Sequence, residues 1–73
     1  MEDRKEFLAL VGQRIKAERI LANLSQQQVA SFCDFEKSHM SRLESGKTNP
    51  TIFTLRKVCL ALKTNISSIT HGL

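Results

Sequence analysis

The sequence has few aromatic and sulfur-containing side chains, and these shortages exclude several classes of function. It contains no tryptophan or tyrosine and only four phenylalanines, so it lacks the aromatic platform on which RNA-binding sheets stack bases. Its two cysteines, Cys33 and Cys59, form neither a disulfide framework nor a Cys/His pattern with zinc-ligand spacing. Both lie among apolar residues. We predict that they are small buried core residues, as free cysteines often are, in a protein of the reducing cytosol.

Long hydrophobic runs and catalytic motifs are also missing. After the N-terminal segment the longest uncharged apolar run, residues 58–62 (VCLAL), is far too short to cross a bilayer. The first six residues, MEDRKE, are too acidic for a secretory signal peptide. His39 and His71 lie far apart, and there is no Ser/His/Asp arrangement, phosphate-binding glycine loop or carboxylate pair. We therefore expect a cytoplasmic protein that is not an enzyme and has no cofactor, metal, small-molecule ligand or membrane contact.

The 73 residues suffice for a single domain, near the lower size limit for a core that is not stabilised by disulfides or metal ions. The net charge is +4, and the positive charge is concentrated in the second half of the chain. Residues 1–36 carry five basic and six acidic side chains, whereas residues 37–73 carry six basic and one acidic. A basic half in so small a domain indicates a polyanionic partner such as nucleic acid. The alternative is a basic surface that only aids solubility.

Turn and capping residues divide the chain into five helices and no strands, which predicts an all-α fold. Ser25 is a good N-cap and Gln28 completes a capping box, while Thr51 can cap a later helix. Asn23 and Gly46 suit the left-handed position that follows a helix. The predicted helices cover about residues 5–22, 26 to the turn at 34, 37–45, 52–62 and 66–70, the last capped by Thr64 or Asn65.

Apolar residues recur at helical spacing along these helices and predict one hydrophobic core. The predicted core residues are Leu8, Val11, Ile15, Ala22, Val29, Ala30, Cys33, Met40, Leu43, Ile52, Leu55, Val58, Cys59 and Leu62, with Phe35 at the corner between the second and third helices. Leu21, Phe53 and Leu60 fall outside these stripes. They are either single exposed apolar side chains, which are common, or part of a dimer interface.

Residues 25–46 form a helix-turn-helix pattern, in which two short helices are joined by a tight turn. Ala30 is small enough to let the two helices cross closely, and Asp34 tolerates the left-handed backbone that the turn needs. The second helix begins with polar and basic residues, while Met40 and Leu43 on its other side point to the core. Its polar outer face is suited to contact with base edges in a major groove.

Two stretches of the sequence, at a fixed separation from each other, resemble a known family. They are residues 24–30 (LSQQQVA) and residues 41–51 (SRLESGKTNPT), followed by the pairs at 54–55 and 61–62. With these the chain resembles the lambdoid-repressor, Xre-type helix-turn-helix family over about residues 10–69. The resemblance implies a compact five-helix bundle and a cytoplasmic transcription regulator, which binds double-stranded DNA as a homodimer on a two-fold-related operator. Minimal members include controllers of restriction–modification genes and repressors of mobile elements, and the sequence does not separate these two.

The resemblance also assigns roles in DNA binding to individual residues. Lys37 and Ser38 correspond to the exposed start of the family's recognition helix. Arg42 lies one turn further along that face, and His39 is next to them. Lysine and arginine are natural donors to guanine O6 and N7, so these four residues are predicted to contact bases. The residues predicted to contact phosphates are Ser25, Gln26, Ser45, Lys47, Thr48 and Asn49.

Two further assignments follow from the resemblance. Arg19 on the first helix and Glu44 at the end of the third match a family pair that would form a partly buried salt bridge and hold the recognition helix. Family dimers usually join through the C-terminal end. A dimer interface is therefore predicted at Leu60, Ile66 and Ile69, the alternative being that such residues are singly exposed.

Three positions depart from the family pattern. Asp34 and Lys63 stand where the family usually has glycine. Glu36 stands at the N-cap of the recognition helix, where the family usually has serine or threonine. Because glutamate is a poorer cap and adds a negative charge near the bases, the family's base preference does not transfer directly to this chain.

A second class of function remains open beside DNA binding. The chain could be an antitoxin-type module that neutralises a protein partner and binds DNA only secondarily. Exposed Phe53, Leu60 and the C-terminal helix would then bind a toxin. A toxin gene next to this one, or co-purification with a second small protein, would favour this class.

Overall fold

Five helices make up the structure, a computed structural model that describes residues 3–73. They are α1 (Arg4–Leu21), α2 (Gln26–Cys33), α3 (Lys37–Glu44), α4 (Ile52–Leu62) and α5 (Ile66–Thr70). The predicted all-α fold is confirmed, and each helix boundary lies within one residue of its expected position. The acidic start of the chain falls partly on residues 1 and 2, which lie outside the described range. Within that range there is no strand, and no helix is long and apolar enough to span a membrane.

Side-chain caps begin three of the helices. Ser25 Oγ accepts a hydrogen bond from the Gln28 backbone N–H at 3.0 Å, and Gln28 Oε1 accepts one from the Ser25 N–H at 2.8 Å. This is the predicted capping box. Thr51 and Asn65 each accept a hydrogen bond from the backbone N–H three residues later, at 3.1 and 3.0 Å. Asn65, rather than Thr64, is therefore the cap of α5.

Left-handed backbone conformations end four helices. The φ angles are 60° at Asn23, 62° at Asp34, 75° at Gly46 and 56° at Lys63. The predicted conformations of Asn23, Asp34 and Gly46 are confirmed, so the turn between α2 and α3 forms without a glycine. Each left-handed position with a side chain costs roughly 1–2 kcal/mol relative to the right-handed region. The backbone N–H groups of Lys63 and Thr64 donate hydrogen bonds to carbonyl groups in the last turn of α4 and so close its C-terminus.

One hydrophobic core lies between the helices. Its buried residues are Val11, Ile15, Val29, Ala30, Cys33, Met40, Leu43, Val58, Cys59, Leu62 and Ile69. The predicted burial of the two free cysteines is confirmed. Burial raises the pKa of both thiols, so they stay protonated at neutral pH and behave as small apolar side chains.

Two residues predicted to be buried are exposed, and one residue predicted at a dimer interface is buried. Ala22 is exposed because it follows the last turn of α1, where Leu21 is itself 80% exposed. Ile52 is 70% exposed because the first turn of α4 borders an open groove between α4 and α5. Ile69, predicted at a dimer interface, is fully buried because α5 folds back onto α1 and α4 and turns this side chain inward. Ile69 therefore cannot contact a second subunit.

A close approach between α1 and α3 fixes the position of α3. Gly12 is buried on α1, and a Cβ atom at this position would lie 2.5 Å from the backbone oxygens of both Leu43 and Glu44. Such a distance is far below van der Waals contact. The two helix backbones therefore almost touch at Gly12.

Candidate nucleic-acid interface

The two sides of α3 differ sharply in chemistry. Met40 and Leu43 are buried and attach the helix to the core. Lys37, Ser38, Ser41 and Arg42 are exposed, and their spacing of three and four residues puts them on one face. Three of these were predicted to contact bases. Ser41 was not, although its position four residues after Lys37 could have identified it as a member of this face.

His39 does not belong to this face. Its ring packs against Phe35, with 4.6 Å between the ring centroids and an interplanar angle of 44°. Its Nε2 is closed off from solvent and has no hydrogen-bond partner among the described residues. His39 is half-buried, because the corner residue Phe35 packs against one side of its imidazole, and its contact with a base stays a prediction.

The N-terminus of α3 has no side-chain cap. Glu36 occupies the N-cap position with extended backbone angles, and its carboxylate makes no capping hydrogen bond. The first N–H groups of α3 therefore have no side-chain acceptor at this end of the helix. This agrees with the departure from the family pattern at Glu36. It leaves backbone donors beside Lys37 and Ser38 for an external acceptor.

A salt bridge and its hydrogen bonds connect α1, α2 and α3. Arg19 Nε lies 2.6 Å from Glu44 Oε2, and Arg19 Nη2 lies 3.1 Å from Glu44 Oε1. The same Oε1 accepts a hydrogen bond from Gln26 Nε2 at 3.0 Å, and Arg19 Nη1 donates to the Leu24 carbonyl at 2.8 Å. The hydrogen bond with Glu44 raises the pKa of Arg19. The predicted pair is thus present, and it connects α1, the start of α2 and the end of α3.

The residues predicted to contact phosphates lie at two places beside α3. Ser25 and Gln26 begin α2, and the other four follow the end of α3. Ser25, Ser45, Lys47 and Asn49 are exposed, while Gln26 and Thr48 are half-buried. The second segment is held against α1, because a Cβ atom on Gly46 would lie 2.6 Å from the Ala9 Cα. The loop carrying Lys47 therefore leaves α3 in a fixed direction.

Sequence comparisons agree with this geometry. The helix-turn-helix family model matches residues 15–69. The chain is 39% identical over 59 residues to the immunity repressor protein of Bacillus phage phi105, a match that covers 81% of this chain and 41% of the repressor. It is 32% identical over 54 residues to the control protein C.BamHI of Bacillus amyloliquefaciens, covering 73% of this chain and 67% of that protein. The chain thus spans less than half of the phage repressor.

Structural comparisons give the same fold. The restriction-modification controller protein C.AhdI from Aeromonas hydrophila has a TM-score of 0.88 and 25% sequence identity, covering 93% of this chain and 99% of the controller. The wild-type controller protein C.Esp1396I has a TM-score of 0.78 and 22% identity, covering 86% and 83%. The second likeness supports the fold alone.

Proposed function

The chain belongs to the Xre-type helix-turn-helix family of transcriptional regulators, and from this membership we propose that it binds double-stranded DNA sequence-specifically in the cytoplasm. The observation that supports this most directly is the polar, basic outer face of α3, which carries Lys37, Ser38, Ser41 and Arg42. In the proposed complex this face enters the major groove, and the salt bridge of Arg19 and Glu44 keeps it in place.

The proposed base contacts are Lys37, Ser38 and Arg42, with Ser41 added on the same face. Arg42 can donate two hydrogen bonds to guanine O6 and N7, and Lys37 can donate one. The proposed phosphate contacts are Ser25, Gln26, Ser45, Lys47, Thr48 and Asn49, which fix the orientation of the protein without reading sequence. Neither group requires a cofactor or catalysis. The protein then acts by occupying an operator.

We further propose that the protein acts as a homodimer. A groove between α4 and α5, with a volume of about 330 Å³, is lined mainly by the apolar residues Ile52, Cys59, Leu60 and Ile66. Leu60 is 55% exposed and Ile52 is 70% exposed, so both leave apolar area for a second subunit to bury. Two recognition helices would then enter successive major grooves roughly 34 Å apart.

The experiment that tests the function is selection of bound duplexes from a random library with the purified protein, followed by sequencing. We expect enrichment of two inverted half-sites whose centres are about one helical turn apart. If only weak, salt-sensitive binding without enrichment occurs, the proposed function is wrong.

A pair of substitutions separates base reading from phosphate binding. Arg42→Ala should weaken binding to the selected operator by about 1–3 kcal/mol and relax the preference at one base position. Lys47→Ala should weaken binding to operator and random duplexes alike, and should flatten the dependence of log K on log salt by about one unit. Each variant is the control for the other. Identical behaviour of the two on both duplexes would contradict these roles.

The second candidate function is an antitoxin-type module with secondary DNA binding. It is motivated by the exposed apolar side chains of Phe53, which is 61% exposed, and Leu60. Expression together with the genes on either side of this one would test it. A stable complex with a neighbouring small protein, lost on Phe53→Ser, would favour this candidate.

A further inference from the structure

Glu36 carries an exposed carboxylate at the start of α3 that no other residue of the described range engages. Its side chain makes no capping hydrogen bond, and within residues 3–73 no basic group lies within salt-bridge distance of it. Only its backbone carbonyl is used, as the acceptor for the N–H groups of His39 and Met40, at 2.9 and 3.3 Å. Both carboxylate oxygens are therefore free to accept hydrogen bonds from another molecule.

The charge of Glu36 is unusual for its place in the chain. Glu36 and Glu44 are the only acidic side chains from residue 35 to the end, and Glu44 is neutralised by its salt bridge with Arg19. Glu36 directly precedes Lys37 and Ser38, two of the proposed base contacts. DNA phosphates repel a carboxylate, so this charge favours binding only where it meets a hydrogen-bond donor.

The major groove offers a carboxylate two donors, the amino groups of cytosine N4 and adenine N6. Guanine O6 and N7, adenine N7 and thymine O4 are acceptors and repel it. In an A·T pair, adenine N6 lies between two of these acceptors, adenine N7 and thymine O4. In a G·C pair, cytosine N4 has an acceptor on one side only, guanine O6. Cytosine is therefore the base that an acceptor-only side chain prefers.

We propose that Glu36 is a specificity-determining residue, whose carboxylate accepts a hydrogen bond from N4 of one cytosine in each half-site of the operator. The inference rests on the proposed function, because it requires the N-terminal end of α3 to lie in the major groove. The carboxylate selects in two ways: it bonds to cytosine, and it repels the acceptors that guanine and thymine present at the same place. A serine or threonine here would discriminate less, because a hydroxyl both donates and accepts.

Two substitutions of Glu36 should change the selected base in different ways. Glu36→Gln keeps the shape of the side chain, and its amide pairs with adenine N6 and N7, so the preference should move from cytosine to adenine. Glu36→Ser supplies a good N-cap and should lose the preference without losing the fold. Asp34→Asn is the matched control, because it makes the same change from acid to amide at an exposed residue of the turn. It should select the same bases as the wild type.

The experiment is selection from a random duplex library with the wild type and these three variants, followed by affinity measurements on single duplexes. At one position of each half-site the wild type should prefer cytosine over thymine by about 10-fold. Glu36→Ser should bind the two duplexes within about two-fold of each other, at the same position. Each preference is a ratio between two duplexes measured with one protein, so a change in stability cancels from it.

N4-methylcytosine at that position tests the contact itself. It still pairs with guanine, but a methyl group replaces the amino hydrogen that faces the major groove. The substitution should weaken the wild type and Asp34→Asn by about 10-fold. It should have a smaller effect on Glu36→Ser, because the hydrogen bond to Glu36 is already absent from that variant.

The outcomes separate this inference from the proposed function. If the wild type selects an operator and both Glu36 variants keep all its base preferences, the contact is wrong and the proposed function stands. A shift of preference in Asp34→Asn equal to that in Glu36→Gln would also overturn it, since the effect would then come from charge rather than from a bond to one base. Failure of the wild type to select any operator would overturn both.

Discussion

Glu44 is negatively charged and almost completely buried, and its salt-bridge and hydrogen-bond partners compensate this charge. Its side chain is 4% exposed and that of Arg19 is 13% exposed. Removing one member of a buried pair leaves the other charge without compensation, which costs about 3–5 kcal/mol. We therefore expect Glu44→Ala to lower the Tm by about 12 °C or more in a domain of this size. Thermal unfolding followed by circular dichroism measures this change. Weaker DNA binding should follow from the loss of stability.

Glu36→Ala is the matched control for Glu44→Ala. Glu36 precedes the same helix, is exposed and makes no capping hydrogen bond, so its removal should change stability by no more than about 0.5 kcal/mol. Equal melting of Glu44→Ala and wild type would show that the network of Arg19, Glu44 and Gln26 does not hold α3.

The close approach of α1 to α3 leads to a prediction for Gly12→Ala, in which two contributions to stability oppose each other. In an isolated helix, replacing glycine by alanine gains about 1 kcal/mol. At Gly12 the added Cβ would lie 2.5 Å from two backbone oxygens of α3. Backbone atoms cannot rotate away as a side chain can, so the two helices must separate. Overpacking of this kind typically costs about 1–3 kcal/mol, and we expect it to outweigh the gain.

Gly12→Ala should therefore lower the free energy of unfolding measured with urea. It should also weaken operator binding at temperatures where the variant is still folded, because α3 is displaced. Gln13→Ala provides the control, since Gln13 is the next residue of α1 and is exposed. A variant Gly12→Ala as stable as Gln13→Ala would mean that α1 and α3 have room to adjust.

Some features of the helices could be predicted from the sequence and others could not. The capping box of Ser25 and Gln28 and the left-handed turn at Asp34 were predictable because they depend on nearby residues. Burial at Ile52 and Ile69 was not, because only the neighbouring helices decide which apolar side chains of α4 and α5 are covered. The same holds for the site. Lys37 and Arg42 follow from their position on α3, whereas the packing of His39 against Phe35 depends on how the turn places the two rings.

The proposed dimerisation concerns the molecule as a whole, because a two-fold operator can be read only by two recognition helices at a fixed separation. The groove between α4 and α5 offers Ile52, Leu60 and Ile66 for this purpose. Leu60→Glu places a charge that a second subunit would have to bury without a partner, which is unfavourable. We expect this variant to be folded, since Leu60 is exposed, and to sediment as a monomer.

Loss of the dimer also removes the gain that comes from binding two linked half-sites. That gain is commonly about 100-fold or more, so Leu60→Glu should lose about this factor on the inverted repeat and little on an isolated half-site. Leu21→Glu is the matched control, because Leu21 is 80% exposed at the end of α1. It should sediment and bind like the wild type. A Leu60→Glu variant that remains dimeric would show that the interface lies elsewhere. A wild type that is monomeric both alone and on the operator would contradict the two-fold mechanism.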